Sequence, residues 1–108
     1  LTQFAQSPLF AELAACKTLA CEMPFSFLTE EGLVESGVMD AVLECPDGSI
    51  WVADYKTDNI RPGAEAATLD AKYRPQLSVY QQAARRLFPD QKVRCSAVFV
   101  RTFAAADL

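Results

Sequence analysis

Two strand-like segments and the turn between them constrain this chain more than anything else in it. Residues 37–45 alternate small or acidic residues with aliphatics, and residues 50–56 run Ile, Trp, Val, Ala, Asp, Tyr, Lys, so both read as strands. Between them, Pro46, Asp47 and Gly48 make a three-residue hairpin loop, with Gly48 where a left-handed backbone is wanted. A loop of that length closes Cys45 on Ser49 and places Asp40 directly opposite Asp54. Since strand side chains alternate, Asp54 and Lys56 share a face with Asp40, while Trp51, Ala53 and Tyr55 point to the other. A slip of one residue would move Asp40 to the opposite face, so the chemistry depends on this turn.

Directly opposed like charges are unfavourable in a sheet. At about 5 Å and an effective dielectric near 20, two carboxylates repel by roughly 3 kcal/mol, a large share of the stability of a small domain. The Lys56 ammonium offsets part of this. A hard divalent cation offsets more, and Mg²⁺ characteristically takes one or two carboxylates while keeping waters and substrate phosphate. The alternative is a carboxylate and lysine cluster at a solvated sheet end.

The rest of the chain surrounds this hairpin with one alternating α/β unit. At 108 residues and 51% hydrophobic content it holds one domain, large enough to bury a core without a structural staple. Ser7 and Pro8 form an N-cap and first turn, and Leu9, Phe10 and Leu13 give an apolar face to a helix ending near Ala15. Residues 23–28 read as a strand, placed by Pro24 at an edge or a strand start, and Glu30, Glu31 and Gly32 as the next turn. After Thr57 comes a polar loop with Pro62 and Gly63. A second helix is expected over residues 75–88, where Leu77, Tyr80, Ala84 and Leu87 recur at helical spacing, its start allowed to lie a few residues earlier. Residues 93–100 make a last apolar strand. The expected order is αβββαβ, a mixed sheet of about four strands flanked by helices.

Ten basic and fourteen acidic residues give a net charge of −4, which argues against a domain that grips nucleic acid unaided. It leaves catalysis on nucleic acid open, since a metal site itself needs carboxylates. The four cysteines, at 16, 21, 45 and 95, form no CxxC pair, and no apolar run is long enough to cross a membrane. A reducing cytoplasm fits, with Cys45 and Cys95 acting as small buried hydrophobes.

Gly37-Val38-Met39-Asp40, then Asp54-Tyr55-Lys56-Thr57, then Gln76-Leu77-Ser78-Val79-Tyr80 resemble the GxxD, DYKT and QxxxY motifs of the RecB/AddA-type nuclease domain, within the PD-(D/E)xK superfamily. Glu22-Met23-Pro24-Phe25 is similar to the acidic-x-Pro-Phe strand that precedes those motifs, so the match spans residues 22–80. The resemblance implies a restriction-endonuclease-like core and an Mg²⁺- or Mn²⁺-dependent exonuclease. Asp40 and Asp54 would hold the metal, aided by the backbone carbonyl of Tyr55. Lys56 would orient or polarise the attacking water and stabilise charge on the scissile phosphate. Gln76 and Tyr80 would flank the active site, although Tyr80 also belongs to the apolar stripe and a core role stays open. Glu22 either approaches the metal or satisfies a turn or a lysine. Thr57 is a candidate anchor for the loop or a phosphate, and Arg61, Lys72 and Arg74 are candidate contacts to DNA phosphates.

Members of that family place a metal-binding histidine on a helix upstream of the acidic-x-Pro-Phe strand, and this chain has no histidine. The expectation is therefore a C-terminal part of a nuclease domain, with the histidine helix and helicase domains upstream of Leu1, acting on DNA ends beside a second subunit in double-strand break repair and recombination. The cysteines do not match the spacing of the iron-sulfur cluster found in some relatives, so no cluster is expected. The competing readings are a nuclease-fold domain that guides DNA without cutting it and a pure interaction domain.

Overall fold

A computed structural model of the chain, describing residues 7–108, has helix α1 (Pro8–Ala14) followed by strands β1 (Lys17–Leu28), β2 (Val34–Glu44) and β3 (Ile50–Lys56). A short helix α2 (Glu65–Thr68), a π-helical segment (Leu69–Tyr73) and helix α3 (Arg74–Leu87) then lead to β4 (Val93–Phe99) and β5 (Ala104–Asp107). The strands form one sheet in the order β1-β2-β3-β4-β5, antiparallel throughout except between β3 and β4. That pair is parallel because a helical crossover, not a hairpin, joins it. The expected mixed α/β architecture is present, with Pro24 on an edge strand, but the sheet has five strands where about four were expected. The extra strand is β5, and β1 begins at Lys17, ahead of the expected Met23.

The central turn has the predicted form. Cys45 donates its N–H to the Ser49 carbonyl at 2.8 Å, Gly48 donates to the Cys45 carbonyl at 2.8 Å, and Gly48 has φ +86°. The Asp47 carboxylate accepts from both the N–H and the hydroxyl of Ser49, at 3.0 and 2.6 Å. The expected register follows, pairing Glu44 with Ile50, Leu43 with Trp51, Val42 with Val52 and Ala41 with Ala53.

Beyond Ala41 the ladder stops. Counting outward from the hydrogen-bonded pair Cys45 and Ser49, the Tyr55 N–H would meet the Met39 carbonyl in a continuous ladder. It goes instead to Asp40 Oδ2, at 2.9 Å. The cause is a loss of alternation in β2: Met39 and Val42, three residues apart, both pack into the core beneath α3. Strand β1 does the same between Ala20 and Met23, where Glu22 takes φ +49°. Both strands of this hairpin thus change face at one level of the sheet, where β2 leaves β3.

The sheet is packed on both sides. On one, Met39, Val42, Ile50, Val52, Cys95 and Phe99 meet Leu69, Leu77, Tyr80 and Ala84 from the π-helical segment and α3. On the other, Leu43, Trp51, Ala53 and Val98 are covered by Leu9 and Leu13 of α1. Helix α1 is capped as expected, Ser7 Oγ accepting from the Phe10 N–H at 3.1 Å. Phe10, expected on its apolar face, is exposed instead, because Leu9 and Leu13, four apart, define the buried stripe. Cys95 is buried as expected, whereas Cys45 is only half-buried, with its Sγ 3.3 Å from that of Cys16. Among the described residues no helix is long and apolar enough to cross a membrane.

Strand β5 is tied down by a polar chain. Trp51 Nε1 donates to Ser96 Oγ at 2.8 Å and Ser96 Oγ donates to Asp107 at 2.6 Å. Arg94 binds Asp107 and Glu12, with its guanidinium 3.9 Å from the Trp51 ring centroid.

Gly37 has a steric reason to be glycine. A Cβ there would lie 2.9 Å from the Phe25 ring and 3.5 Å from Tyr80, and Phe25 meets Tyr80 edge to face at 5.7 Å. Gly37→Val is expected to destabilise the chain by about 1–3 kcal/mol through overpacking, read as a lowered urea midpoint. Adding Phe25→Leu should recover part of the loss, and an unchanged midpoint in the single variant would contradict the close approach.

Candidate active site

Alternation along β3 sends Asp54 and Lys56 to the α3 side of the sheet, and the break in β2 brings Asp40 to the same place. Asp54 is only 3% exposed. Lys56 Nζ lies 2.7 Å from Asp54 Oδ2, donates to Gln76 Oε1 at 2.9 Å and sits 4.0 Å from the centroid of the Tyr73 ring. Gln76 Nε2 donates in turn to the Tyr80 hydroxyl at 3.0 Å, an amide orientation required by the lysine, which can only donate. Five residues singled out in the sequence, Asp40, Asp54, Lys56, Gln76 and Tyr80, therefore form one connected cluster. Tyr80 belongs to both the core and the candidate site: the residue is 6% exposed and its hydroxyl reaches the polar cluster.

The electrostatics are strained in the way the sequence suggested. Burial, then the hydrogen-bonding contact with Asp40, pushes the Asp54 carboxyl up to about 6, against the opposing pull of Lys56. Although Lys56 is within ion-pair distance, Asp54 Oδ2 is buried without a hydrogen bond of good geometry. Lys56 draws the Asp54 pKa down from that distance, and the oxygen has room for a further partner. Two touching carboxylates with one unmatched oxygen fit a hard divalent cation that completes its shell with water. Among the described residues no group of three or more His, Cys, Asp or Glu is placed to hold a metal, so a cation here would rest on the two carboxylates Asp40 and Asp54. The Tyr80 phenol is pushed above its usual range by burial and by Asp54 and Asp40, which keeps it neutral.

Tyr55 contributes its N–H to Asp40, and its side chain is partly exposed at 43%. Glu22, expected near the metal or at a turn, is exposed on β1 at the level of Asp40, between the pairs Cys21 with Ala41 and Met23 with Met39. Of the basic residues expected near substrate, Lys72 pairs with Asp58 at 2.6 Å and Arg74 with Asp70, while Arg61 is exposed, as is Thr57. The sequence reading passed over Tyr73 and Asp58. The available signal was that Tyr73 precedes Gln76 by three residues, a spacing that puts both on one helical face.

The raised Asp54 pKa has a consequence for stability. The folded state holds this proton more tightly than the unfolded chain, so the stability it contributes is full below pH 4 and is lost as the pH rises through about 6. From 3.8 to about 6 the shift corresponds to about 3 kcal/mol. Without divalent ions, Asp54→Asn is expected to raise the thermal midpoint at pH 7.5 and to change it little at pH 4. An equal shift at both pH values would refute the electrostatic origin.

The profile of the PD-(D/E)XK nuclease superfamily matches residues 3–106. A protein of Desulforudis audaxviator, described as one of the subunits of an ATP-dependent helicase/nuclease, is 46% identical over half of this chain and 4% of its own length. Proteins of the same description from Acetivibrio thermocellus and Bacillus mycoides are 31% and 30% identical over 81% and 77% of this chain, and 8% of their own lengths. The chain thus spans less than a tenth of the curated relatives it matches. With the mixed sheet and the GxxD, DYKT and QxxxY residues gathered at one end of it, the match shows that the chain belongs to the PD-(D/E)XK nuclease superfamily, in its RecB/AddA-type branch.

Proposed function

We propose that this chain is the nuclease module of an ATP-dependent helicase-nuclease, hydrolysing DNA phosphodiester bonds from ends in double-strand break repair and recombination. The observation that carries this reading is the contact of Asp40 with buried Asp54, whose unmatched oxygen faces Lys56. A solvated structural cluster would not hold a carboxylate so deeply beside a like charge.

In this reading Asp40 and Asp54 hold Mg²⁺ or Mn²⁺, with the Tyr55 carbonyl as a further ligand. When bound, such a cation would supply positive charge to neutralise the scissile phosphate and acidify water. Asp40 contributes twice, as a ligand and, by gripping the Tyr55 N–H, as the clamp on the peptide next to Asp54. Lys56 keeps its charge close to where negative charge accumulates in the transition state. Gln76 holds the ammonium and Tyr80 holds Gln76, so Lys56 is fixed before substrate arrives. The histidine expected in relatives has no counterpart in this chain, so a fourth protein ligand would come from another part of the polypeptide.

In this reading most of the DNA grip comes from helicase domains and a second subunit in the cytoplasm, and the acidic balance of this chain supports that division. Lys72, already paired with Asp58, and Arg74, paired with Asp70, would exchange those partners for phosphates at a cost that limits their contribution.

In the full polypeptide, Asp54→Ala and Lys56→Ala should each reduce metal-dependent DNA cleavage by at least about 100-fold, with ATP-driven unwinding retained. Replacing Mg²⁺ by EDTA should have the same effect on cleavage. Cleavage that persists in both variants would reject the assignment.

A further inference from the structure

We propose that Tyr73, oriented by Asp58, is the positioning residue for Lys56, a role that rests on the nuclease reading above and extends it. Lysine carries its charge on four flexible bonds, and the chemistry assigned to Lys56 requires that charge in one place. Two partners of its Nζ, Asp54 Oδ2 and Gln76 Oε1, leave part of its surface uncovered. The face of the Tyr73 ring covers it, 4.0 Å away from ring centroid to nitrogen, a distance at which the ring quadrupole attracts an ammonium.

The ring is itself held at its far end. The Tyr73 hydroxyl donates to Asp58, whose two oxygens lie 2.8 and 3.0 Å away, and Asp58 is paired with Lys72 at 2.6 Å. The Phe99 ring, with centroids 6.4 Å apart, backs it from the sheet. Asp58 follows Lys56 by two residues, so the chain leaving β3 carries both the lysine and the group that orients the ring against it.

The backbone under Tyr73 is also unusual. Tyr73 is the last residue of the π-helical segment and directly precedes α3, which carries Gln76. A π-helical turn widens the helix locally and rotates side chains relative to a regular one, and such turns are frequent at functional sites. Here the two elements bring Tyr73 and Gln76 to the same ammonium.

A ring that merely filled the core would require neither the acidic partner at its hydroxyl nor the lysine on its face. The two roles separate experimentally in the full polypeptide. Tyr73→Leu removes the aromatic face, whereas Tyr73→Phe keeps it and loses only the hydroxyl. The first readout is independent of catalysis: the reactivity of Lys56 towards isotopically labelled acetic anhydride, followed by mass spectrometry, with Lys17 and Lys92 as internal references. Tyr73→Leu should raise the relative reactivity of Lys56 several-fold and lower kcat for DNA cleavage by about 10-fold, with KM little changed. Tyr73→Phe should restore most of both.

If Tyr73→Leu loses the cooperative urea transition of the wild type, the variant has lost its fold and Asp58→Ala takes its place. That substitution removes the acceptor of the Tyr73 hydroxyl and should raise Lys56 reactivity by less than Tyr73→Leu would, to about the level of Tyr73→Phe, and no change would overturn the proposal. Unchanged Lys56 reactivity in folded Tyr73→Leu, or equal losses in the Leu and Phe variants, would overturn it as well. Should the wild-type polypeptide fail to cleave DNA, the nuclease reading falls, while the labelling pattern still decides whether Tyr73 holds Lys56.

Discussion

An antiparallel ladder carried one pair past Ala41 and Ala53 would set Asp40 and Asp54 opposite each other as an ordinary, unfavourable like-charge pair. In this chain β2 turns away at that level, and the Asp40 carboxylate takes up the Tyr55 N–H that the departing strand would have satisfied. A side-chain oxygen stands in for a backbone carbonyl. The exchange leaves no buried donor unmatched, fixes the Asp40 side chain beside Asp54, and leaves Oδ2 of Asp54 as the atom without a good partner. Each later feature of the site depends on that substitution: the raised Asp54 pKa, the attraction of Lys56, and the fit to a divalent cation.

Such a cluster persists only where other interactions over-determine the backbone that carries it. Strand β3 is the middle of the five strands and is covered on both faces, with Ile50 and Val52 under α3 and Trp51 and Ala53 on the α1 side. Trp51 is further locked to β4 through Ser96, and Ser96 to β5 through Asp107. The terminal strand, far from the carboxylates in sequence, thereby helps to hold the strand on which Asp54 and Lys56 sit. Gly37 works from the other side, since the space it leaves lets Phe25 and Tyr80 pack and so fixes the part of α3 that carries Gln76.

The central hairpin was legible because its turn chemistry is local: Pro46, Asp47 and Gly48 determine loop length, loop length determines register, and register gathers Asp40, Asp54 and Lys56. The same reasoning misses what is not local. Residues 104–107, three alanines and an aspartate, carry no strand signal, and β5 forms because β4 has an open edge and Asp107 finds Arg94 and Ser96. The start of β1 was hidden likewise, since residues 17–22 are mostly exposed on an edge strand and lack an alternating pattern. Neither the π-helical segment nor the face change at Asp40 leaves a mark in composition or periodicity. The sequence therefore predicted which residues meet, while the way Asp40 is held and the ring against Lys56 required the fold.

Tyr80 illustrates why core and site are poor alternatives for the residues of α3. Its ring belongs to the apolar stripe and touches Phe25, while its hydroxyl, one ring length away, accepts from Gln76 at the edge of the carboxylate cluster. An aromatic side chain with a polar end suits such a boundary, because its apolar body is buried against the sheet while its oxygen reaches the polar rim. Tyr73 repeats the arrangement with its polarity reversed, its hydroxyl turned outward to Asp58 and its face turned to Lys56. The two tyrosines enclose the polar cluster from opposite ends of one chain of contacts, and both are rigid where lysine is flexible. The order of the site is thus borrowed from the core. Packing that stabilises the domain also sets the direction of the one cation in the cluster, so truncating either ring should disturb geometry and stability together, unlike neutralising Asp54, which should relieve strain while removing a proposed metal ligand.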